Sequence, residues 1–349
     1  MIGLGMIGRH HARLLQSSER VVLAGAVDPS GDRYRAVHDP ELVMNSLEVL
    51  LERNIEFAIV AVPTELHLTV VERLARAGVA MLIEKPLAPT TQEAREIVRI
   101  CRERGVPAAV GHVERFNPAL REMRERMLAG QLGRLFTLST VRSGPFPARV
   151  RDVGVIKDLA THDLDVVAWL AGARITSLAA QVQHLSGREH EDLVLITGVL
   201  ESGAAFNCWV DWVSPRKIRR TRALGERGVL EADTLTADLT FYENGEVRVL
   251  WPAAEQFRGV SEGDVIRYAL RREEPLKLEH EAFIDLLEGR RAEQLVSVEE
   301  GLEVVAVAEA VLESARAGRT VALRGANEDA AGVRERAESA VPSRRSQGG

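Results

Sequence analysis

The sequence predicts an α/β protein of two parts, a doubly wound parallel sheet followed by an open, mostly antiparallel sheet with its own helices. Three observations predict it. In the first half, short apolar runs alternate with helical patterns, the order that builds right-handed crossovers and a parallel sheet covered on both faces. In the second half, strand-like runs follow one another through short turns, which is the antiparallel pattern. Finally, 349 residues exceed what one hydrophobic core usually organises.

The spacing of apolar residues places strands over 21–27, 57–62, 79–83 and 107–111, and helices over 10–17, 46–53, 66–77 and 91–104. Thr90 or Thr91 with Glu93 and Glu96 gives the last helix a capped, acidic start. Downstream, strands are expected over 135–142, 177–184, 193–200, 204–211, 217–224, 235–242 and 246–251. Turns such as Glu201-Ser202-Gly203 and Glu243-Asn244-Gly245 join them. Helices are expected over 156–170, 278–288 and 298–317. The division is 1–115 for the first domain and 116–325 for the second. Residues 326–349, polar and rich in alanine, arginine, glycine and serine, read as a disordered tail.

Composition narrows the function classes. Hydrophobic residues make up 46% and charged residues 28%, ordinary for a globular protein with a sizeable core. A net charge of −6 argues against a nucleic-acid binder, which is usually basic. No apolar stretch approaches the length of a membrane span, and no signal-peptide pattern opens the chain. Cys101 and Cys208 stand far apart and form no metal spacing. A reducing cytoplasm is the simplest expectation, with no metal, no membrane and no nucleic acid.

The first chemical motif is Gly3-Leu4-Gly5-Met6-Ile7-Gly8. A glycine loop alone is weak. Here a helical pattern follows at once, Asp28 ends the next strand, and the βα alternation continues. Gly3 would permit the tight turn, Gly5 a close approach of the backbone to a pyrophosphate, and Gly8 close helix–strand packing. The helix start, with Met6 and Ile7, would offer N–H groups and positive dipole. Asp28 would accept hydrogen bonds from ribose hydroxyls and repel a 2′-phosphate, favouring NAD; Arg33 nearby keeps NADP as the lesser alternative. A structural glycine turn with a surface aspartate is the plain alternative. Only Met1 and Ile2 precede the loop, whereas this strand is central in such sheets, so its ladder groups would be short of partners. A start placed too late, or a truncated form, would fold poorly or bind cofactor weakly, and an extended form would show a larger NAD-induced melting shift.

Other residues could do chemistry. Glu84-Lys85-Pro86 ends a strand at its carboxyl edge, where open α/β sheets bind ligands. Lys85 could hydrogen-bond a substrate hydroxyl and stabilise developing negative charge, and a cis bond at Pro86 would aim it inward. A surface lysine in a turn is the alternative. Asp158 and His162 sit at i and i+4 on an otherwise apolar helix, with Asp165 on the same face. His162 could take a hydroxyl proton while Asp158 orients substrate and raises the basicity of the ring. A core histidine paired to a carboxylate is the alternative, and no further ligands at metal spacing accompany them. Arg115 and Asn117 are candidates for sugar or phosphate contacts near the domain boundary. Arg142, Arg149 and Arg151 could clamp a diphosphate, or lie solvated on the surface. His10 and His11 read as helix surface, and Trp209 and Trp212 as core or subunit interface.

Taken in order, these motifs resemble the glucose–fructose oxidoreductase, inositol dehydrogenase and rhizopine-catabolism (Gfo/Idh/MocA) family. The matching elements are Gly3–Gly8, Asp28, Ala61-Val62-Pro63-Thr64 with His67, Glu84-Lys85-Pro86, Gly111-His112 and Asp158-x-x-x-His162, and the resemblance spans residues 1–324. It implies an N-terminal Rossmann domain, largely without its first strand, and a C-terminal α/β domain on an open, mostly antiparallel sheet. It implies NAD(P)-dependent oxidation or reduction of a sugar or polyol hydroxyl. It makes Lys85, Asp158 and His162 the catalytic set, with His162 as acid/base. It puts Pro63, Thr64, His67 and Glu84 on the nicotinamide side; with Asp158 and His162, the candidates Arg115, Asn117 and Arg151 complete the expected substrate contacts. The run from Val110 to Ala119 looks most like nucleotide-sugar members such as UDP-N-acetylglucosamine 3-dehydrogenases. The family's glycine pair is reduced here to Asp152-Val153-Gly154. A homodimer or homotetramer through the free sheet face is implied. Inositol or simple-sugar dehydrogenase is the alternative within the family, and a non-catalytic dinucleotide-binding regulator the alternative outside it.

Overall fold

The computed structural model describes residues 1–146, 153–245 and 261–323. The strand expected over 246–251 and the tail expected over 326–349 lie outside them, as do Arg149 and Arg151.

The first part runs α1 (Gly8–Ser17), β1 (Ala26–Val27), β2 (Val43–Met44), α2 (Leu47–Leu51), β3 (Phe57–Val60), α3 (His67–Arg76), β4 (Ala80–Glu84), α4 (Thr91–Arg104) and β5 (Ala108–Gly111). Strands β3, β4 and β5 pair in parallel, as do β1 and β2. Ile2 stands between the two groups with a parallel bridge to Val60 on one side and Val27 on the other. Its N–H donates to Ile59 O at 2.9 Å and its carbonyl accepts from Ala61 N at 2.8 Å. Two residues thus do the joining of a central strand. The strand expected over 21–27 is confined to Ala26–Val27; beside it the Met1 amine donates to Gly25 O and the Met1 carbonyl accepts from Val27 N. Helix α4 carries the expected cap, with Thr90 Oγ1 accepting from Glu93 N, and ends on left-handed Gly105.

The second part runs α5 (Pro118–Leu128), β6 (Leu135–Pro145), a π-helical turn (Ile156–Ala160), α6 (Thr161–Ala171), β7 (Ile175–Gln183), β8 (Leu193–Leu200), β9 (Ala205–Asp211), β10 (Val213–Gly225), β11 (Gly228–Asp233), β12 (Asp238–Gly245), β13 (Ser261–Tyr268), α7 (Pro275–Leu287), β14 (Val296–Ser297), α8 (Val298–Ala317) and β15 (Val321–Ala322). Nine strands form one sheet in the order β13-β12-β11-β10-β6-β9-β8-β7-β15. Every pair is antiparallel except β6–β9. Strand β11 goes beyond the sequence expectation. Its Leu230, Glu231 and Ala232 are helix formers, and its hairpin with β10 closes through Glu226-Arg227 rather than an Asn-Gly turn.

The chain then returns. β14 pairs antiparallel with β5, at the edge of the first sheet. Val296, Val298, Leu302 and Val305 pack in the same cluster as Ile83, Ile97 and Val110, and Phe283 and Leu295 join Leu4 and Ile59. The opposite stripe of α8, with Val307 and Val311, packs with α6 and the large sheet. α8 therefore serves both layers, which matches its apolar residues recurring on more than one face. Among the described residues no helix is long and apolar enough to cross a membrane.

Candidate active site

Gly3, at φ +89°, follows the central Ile2, and a side chain there would meet Ala61 O at 2.4 Å. A Cβ on Gly8 would come within 2.0 Å of Gly3 O, so only glycine lets α1 start this close to the loop. Gly5, by contrast, faces open space. α1 has no side-chain cap, so its first N–H groups have no side-chain acceptor. Beyond the loop lies a cleft of about 650 Å³ lined by Gly3, Gly5, Asp28, Tyr34 and Pro63. Asp28 Oδ2 accepts from Leu4 N at 2.8 Å and Oδ1 from Ser30 N at 2.8 Å. Its carboxylate thus ties the glycine loop to the turn after β1. These features fit a dinucleotide: a helix start and an open glycine face for the pyrophosphate, and a carboxylate at the strand end for a ribose.

The carboxyl ends of the parallel strands lie on one edge, and β4 delivers Glu84 and Lys85 there. The Lys85–Pro86 bond is cis. Lys85 Nζ donates to Asp158 O at 2.7 Å and stands 3.4 Å from Asp158 Oδ1. Asp158 lies in the π turn, whose entrance is pinned by Glu191: Ile156 N donates to Glu191 Oε1 and Val155 N to Glu191 O. Gly154 is close-packed on that carboxylate, a Cβ there falling 2.0 Å from Oε1. A π turn inserted ahead of an α-helix changes the phase of the residues it joins. Asp158 and His162 therefore do not pair as i, i+4 geometry suggested; Asp158 pairs with Lys85, and its Oδ2 has no partner among the described residues.

His162 is half-buried, its Nδ1 has no partner among the described residues, and its ring meets that of His112 edge-on with centroids 6.5 Å apart. Burial, then the charges of Lys85 and Arg142, hold the His162 ring well below its ordinary pKa. This corrects the expectation that Asp158 raises its basicity: cations, not a carboxylate, dominate its surroundings. His112 is buried, with both ring nitrogens lacking a hydrogen-bond partner and Nδ1 3.9 Å from Asp165 Oδ2.

Several sequence-predicted residues are committed elsewhere. Arg115 is 4% exposed; its Nη2 donates to Asp165 at 2.6 Å and its Nη1 to Glu300 at 2.9 Å. Asn117 caps α5 by accepting from Ala119 N and donates to Thr234 O. In place of the expected sugar contacts, both knit elements together. Arg142, expected in a diphosphate clamp, is buried and pairs with Asp163 at 2.6 Å and Glu114 at 2.8 Å. His67 is buried, its two ring nitrogens facing Leu87 O and Val62 O. It is not among the residues that line the cleft, whereas Pro63 is, and Thr64 opens the short helical turn after it.

His11 was expected on the helix surface, yet it is fully buried. Its Nε2 stands 2.8 Å from Glu84 Oε1 and its Nδ1 2.7 Å from His280 Nε2. Burial would raise the Glu84 carboxyl, but His11 and Lys85 outweigh it and hold it below the usual range. A carboxylate only accepts, so His11 donates to Glu84 through Nε2, while its Nδ1 is hydrogen-bonded to His280 Nε2. Burial pushes His280 down to about 3. Next to it Glu279 is fully buried with neither oxygen partnered, and burial, then Glu84, push its carboxyl well above the ordinary range. The sequence signal for His11 was its place one turn after Gly8, on the face of α1 that carries Leu14 and Leu15. Nothing near Glu279 and His280 in the chain pointed to this group. Trp212 is core and Trp209 lies half-exposed on the open sheet face. Among the described residues no group of three His, Cys, Asp or Glu could hold a metal ion.

Residues 1–112 match the oxidoreductase family with NAD-binding Rossmann fold, and residues 120–231 match the GFO/IDH/MocA C-terminal domain. The protein is thus an NAD-binding oxidoreductase in class. UDP-N-acetylglucosamine 3-dehydrogenase of Acidithiobacillus ferrooxidans is 32% identical over 248 residues, covering 70% of this chain and 76% of its own. Its crystal structure superposes with a TM-score of 0.78 over 90% of this chain and 96% of that one, at 27% identity. Myo-inositol dehydrogenase Hyg17 of Streptomyces leeuwenhoekii is 31% identical over 250 residues, covering 66% and 75%. The chain belongs to the GFO/IDH/MocA family.

Proposed function

We propose that the protein is an NAD-dependent dehydrogenase of a sugar secondary hydroxyl, with a nucleotide sugar such as UDP-N-acetylglucosamine, oxidised at C3, as substrate. The observation that carries this reading is the convergence of Lys85, Asp158 and His162 at the carboxyl edge of the sheet that also carries Gly3–Gly8. Gly3, Gly5, Met6, Ile7, Gly8 and Asp28 would hold the dinucleotide, with Pro63, Thr64, Glu84 and Lys85 on its nicotinamide side. NAD supplies the hydride acceptor when bound. Lys85 is held by the Asp158 carbonyl with N–H groups to spare, and donates to the reacting hydroxyl oxygen. Its charge lowers the proton affinity of that oxygen. His162, neutral at pH 7, accepts the hydroxyl proton. The cations that weaken His162 as a base act on the hydroxyl too, so transfer between them stays matched. Asp158 Oδ2, unpartnered, is placed to accept from a second substrate hydroxyl.

The likeness to the UDP-N-acetylglucosamine enzyme supports the nucleotide sugar. The nearly equal identity of the myo-inositol enzyme supports a neutral polyol as the second reading. The test mixes protein and NAD with UDP-sugars, inositols and simple sugars, and follows reduced nicotinamide. Reduction with UDP-N-acetylglucosamine and none with inositols is expected, and the reverse pattern selects the second reading. No reduction with any hydroxyl compound, alongside intact NAD binding, would turn the reading to a non-catalytic regulator. Self-association through the open sheet face, where Trp209 and Leu195 stand opposite each other and half-exposed, is the expected assembly, read by light scattering.

A further inference from the structure

In the antiparallel ladder between β10 and β6, Arg219 stands directly opposite Arg142. Opposed residues put their side chains on one face, about 5 Å apart at Cβ, where like charges repel. Arg142 is compensated by Asp163 and Glu114. Arg219 has no such ion pair among the described residues, although the charges of Asp163 and Glu114 also act on it. Its Nη1 donates instead to Ser143 O at 2.7 Å and Ile218 O at 2.8 Å. Asp211 acts on it too; its Oδ1 accepts from Val213 N and Ser214 N, and its Oδ2 has no hydrogen-bond partner among the described residues. Burial, then Arg142, lower the Arg219 pKa, yet a guanidinium stays protonated in proteins. The result is a half-buried cation with no ion pair of its own among the described residues. Its charge, with those of Lys85 and Arg142, also acts on His162. The ladder is irregular between Val213 and Ile218, and such bulges re-aim side chains beside active sites. Regular pairing resumes at Ile218, opposite Ser143, and Arg219 is the next residue along.

We propose that Arg219 receives an anionic group of the substrate, phosphate or carboxylate, and so selects charged sugars over neutral polyols. The inference rests on the reading of this site as a sugar dehydrogenase. Nη2 and Nε remain for the anion while Nη1 is anchored, so the fork is held in place before ligand arrives, which lowers the ordering cost. The anion removes the repulsion with Arg142 as it binds.

The test is calorimetric titration of the NAD-loaded, full-length protein with UDP and, separately, with glucuronate. Arg219→Ala and Arg219→Gln are compared with Arg220→Ala, which removes an exposed neighbour paired with Glu231. The glutamine keeps a donor for Ser143 O, so a loss common to both variants follows the charge rather than the fold. At least a tenfold weakening by both Arg219 variants, and not by Arg220→Ala, is expected. Weakening in the UDP arm names the phosphate, and in the glucuronate arm the carboxylate. Equal affinity in the three variants, or no binding of either anion by the parent, overturns the proposal. Because the titration requires no turnover, absence of dehydrogenase activity would sink the functional reading while leaving this result readable.

Discussion

The ammonium of Lys85 lies closer to the main-chain oxygen of Asp158, at 2.7 Å, than to that residue's carboxylate, at 3.4 Å. The carbonyl engages one N–H of the ammonium and leaves another to donate to substrate. Lys85→Ala is therefore expected to lower the rate of nicotinamide reduction by about 10²–10⁴-fold while the NAD-induced melting shift stays near that of the parent. A variant that reduces NAD at the parental rate would remove Lys85 from the chemistry.

Asp158→Asn separates the same two contacts. The carbonyl still holds Lys85, so Lys85 stays in place, and the loss falls on what Oδ2 does for substrate. A rise in KM of about tenfold with a smaller change in kcat is expected, on the order of one lost hydrogen bond to a charged group. A fall in kcat alone would give Asp158 a role in proton transfer instead.

Gly8 and Gly5 should fail in different ways. At Gly8 an added methyl meets a backbone oxygen at 2.0 Å, and Gly8→Ala is expected to destabilise the fold by about 2–4 kcal/mol in urea melts. At Gly5 the methyl enters open space, so Gly5→Ala should melt like the parent but bind NAD at least tenfold more weakly. Parental NAD affinity in Gly5→Ala would place the pyrophosphate elsewhere.

Arg115→Met tests whether the guanidinium serves structure or substrate. It leaves Asp165, 1% exposed, without its main partner, which typically costs about 3–5 kcal/mol. A melt unchanged from the parent, with KM alone raised, would restore Arg115 to the substrate.

The buried histidines set an acid limit. His162, His67, His112 and His280 all sit below their ordinary range in the fold, first through burial. When the folded pKa of a base is depressed, the unfolded chain binds more protons, so stability rises with pH across the gap. It is full above the unfolded value of about 6.5 and falls as pH drops below it. Each histidine contributes a slope of up to about 1.4 kcal/mol per pH unit. Melting temperature should fall steeply from pH 7 to 5, and less steeply in His280→Asn. Identical slopes would remove His280 from the account.

The parts of the site that were legible in sequence are those where one residue type answers a local demand. Gly3 and Gly8 stand where a side chain would strike backbone, and Lys85 stands at a strand end, where ligands bind. What was not legible depended on distant chain. Arg115 and Asn117 are polar residues at a boundary, and their partners Asp165, Glu300 and Thr234 lie far along the sequence. The Asp158–His162 pairing failed for a local reason, a π turn where the pattern read as a plain α-helix. His11 looked like surface because its partners Glu84 and His280 come from other elements.

The return of the chain to the first sheet has a consequence for how the protein can be divided. β14 supplies the edge strand beside β5, and Phe283, Leu295, Val298 and Leu302 complete its two cores. His280, bonded to His11, comes from the same returning stretch. The nucleotide-holding half is therefore written in two instalments, and synthesis must reach the second before the first is whole. A nascent chain cut after residue 115 would present a bare strand edge and an unroofed apolar face, the features that invite aggregation.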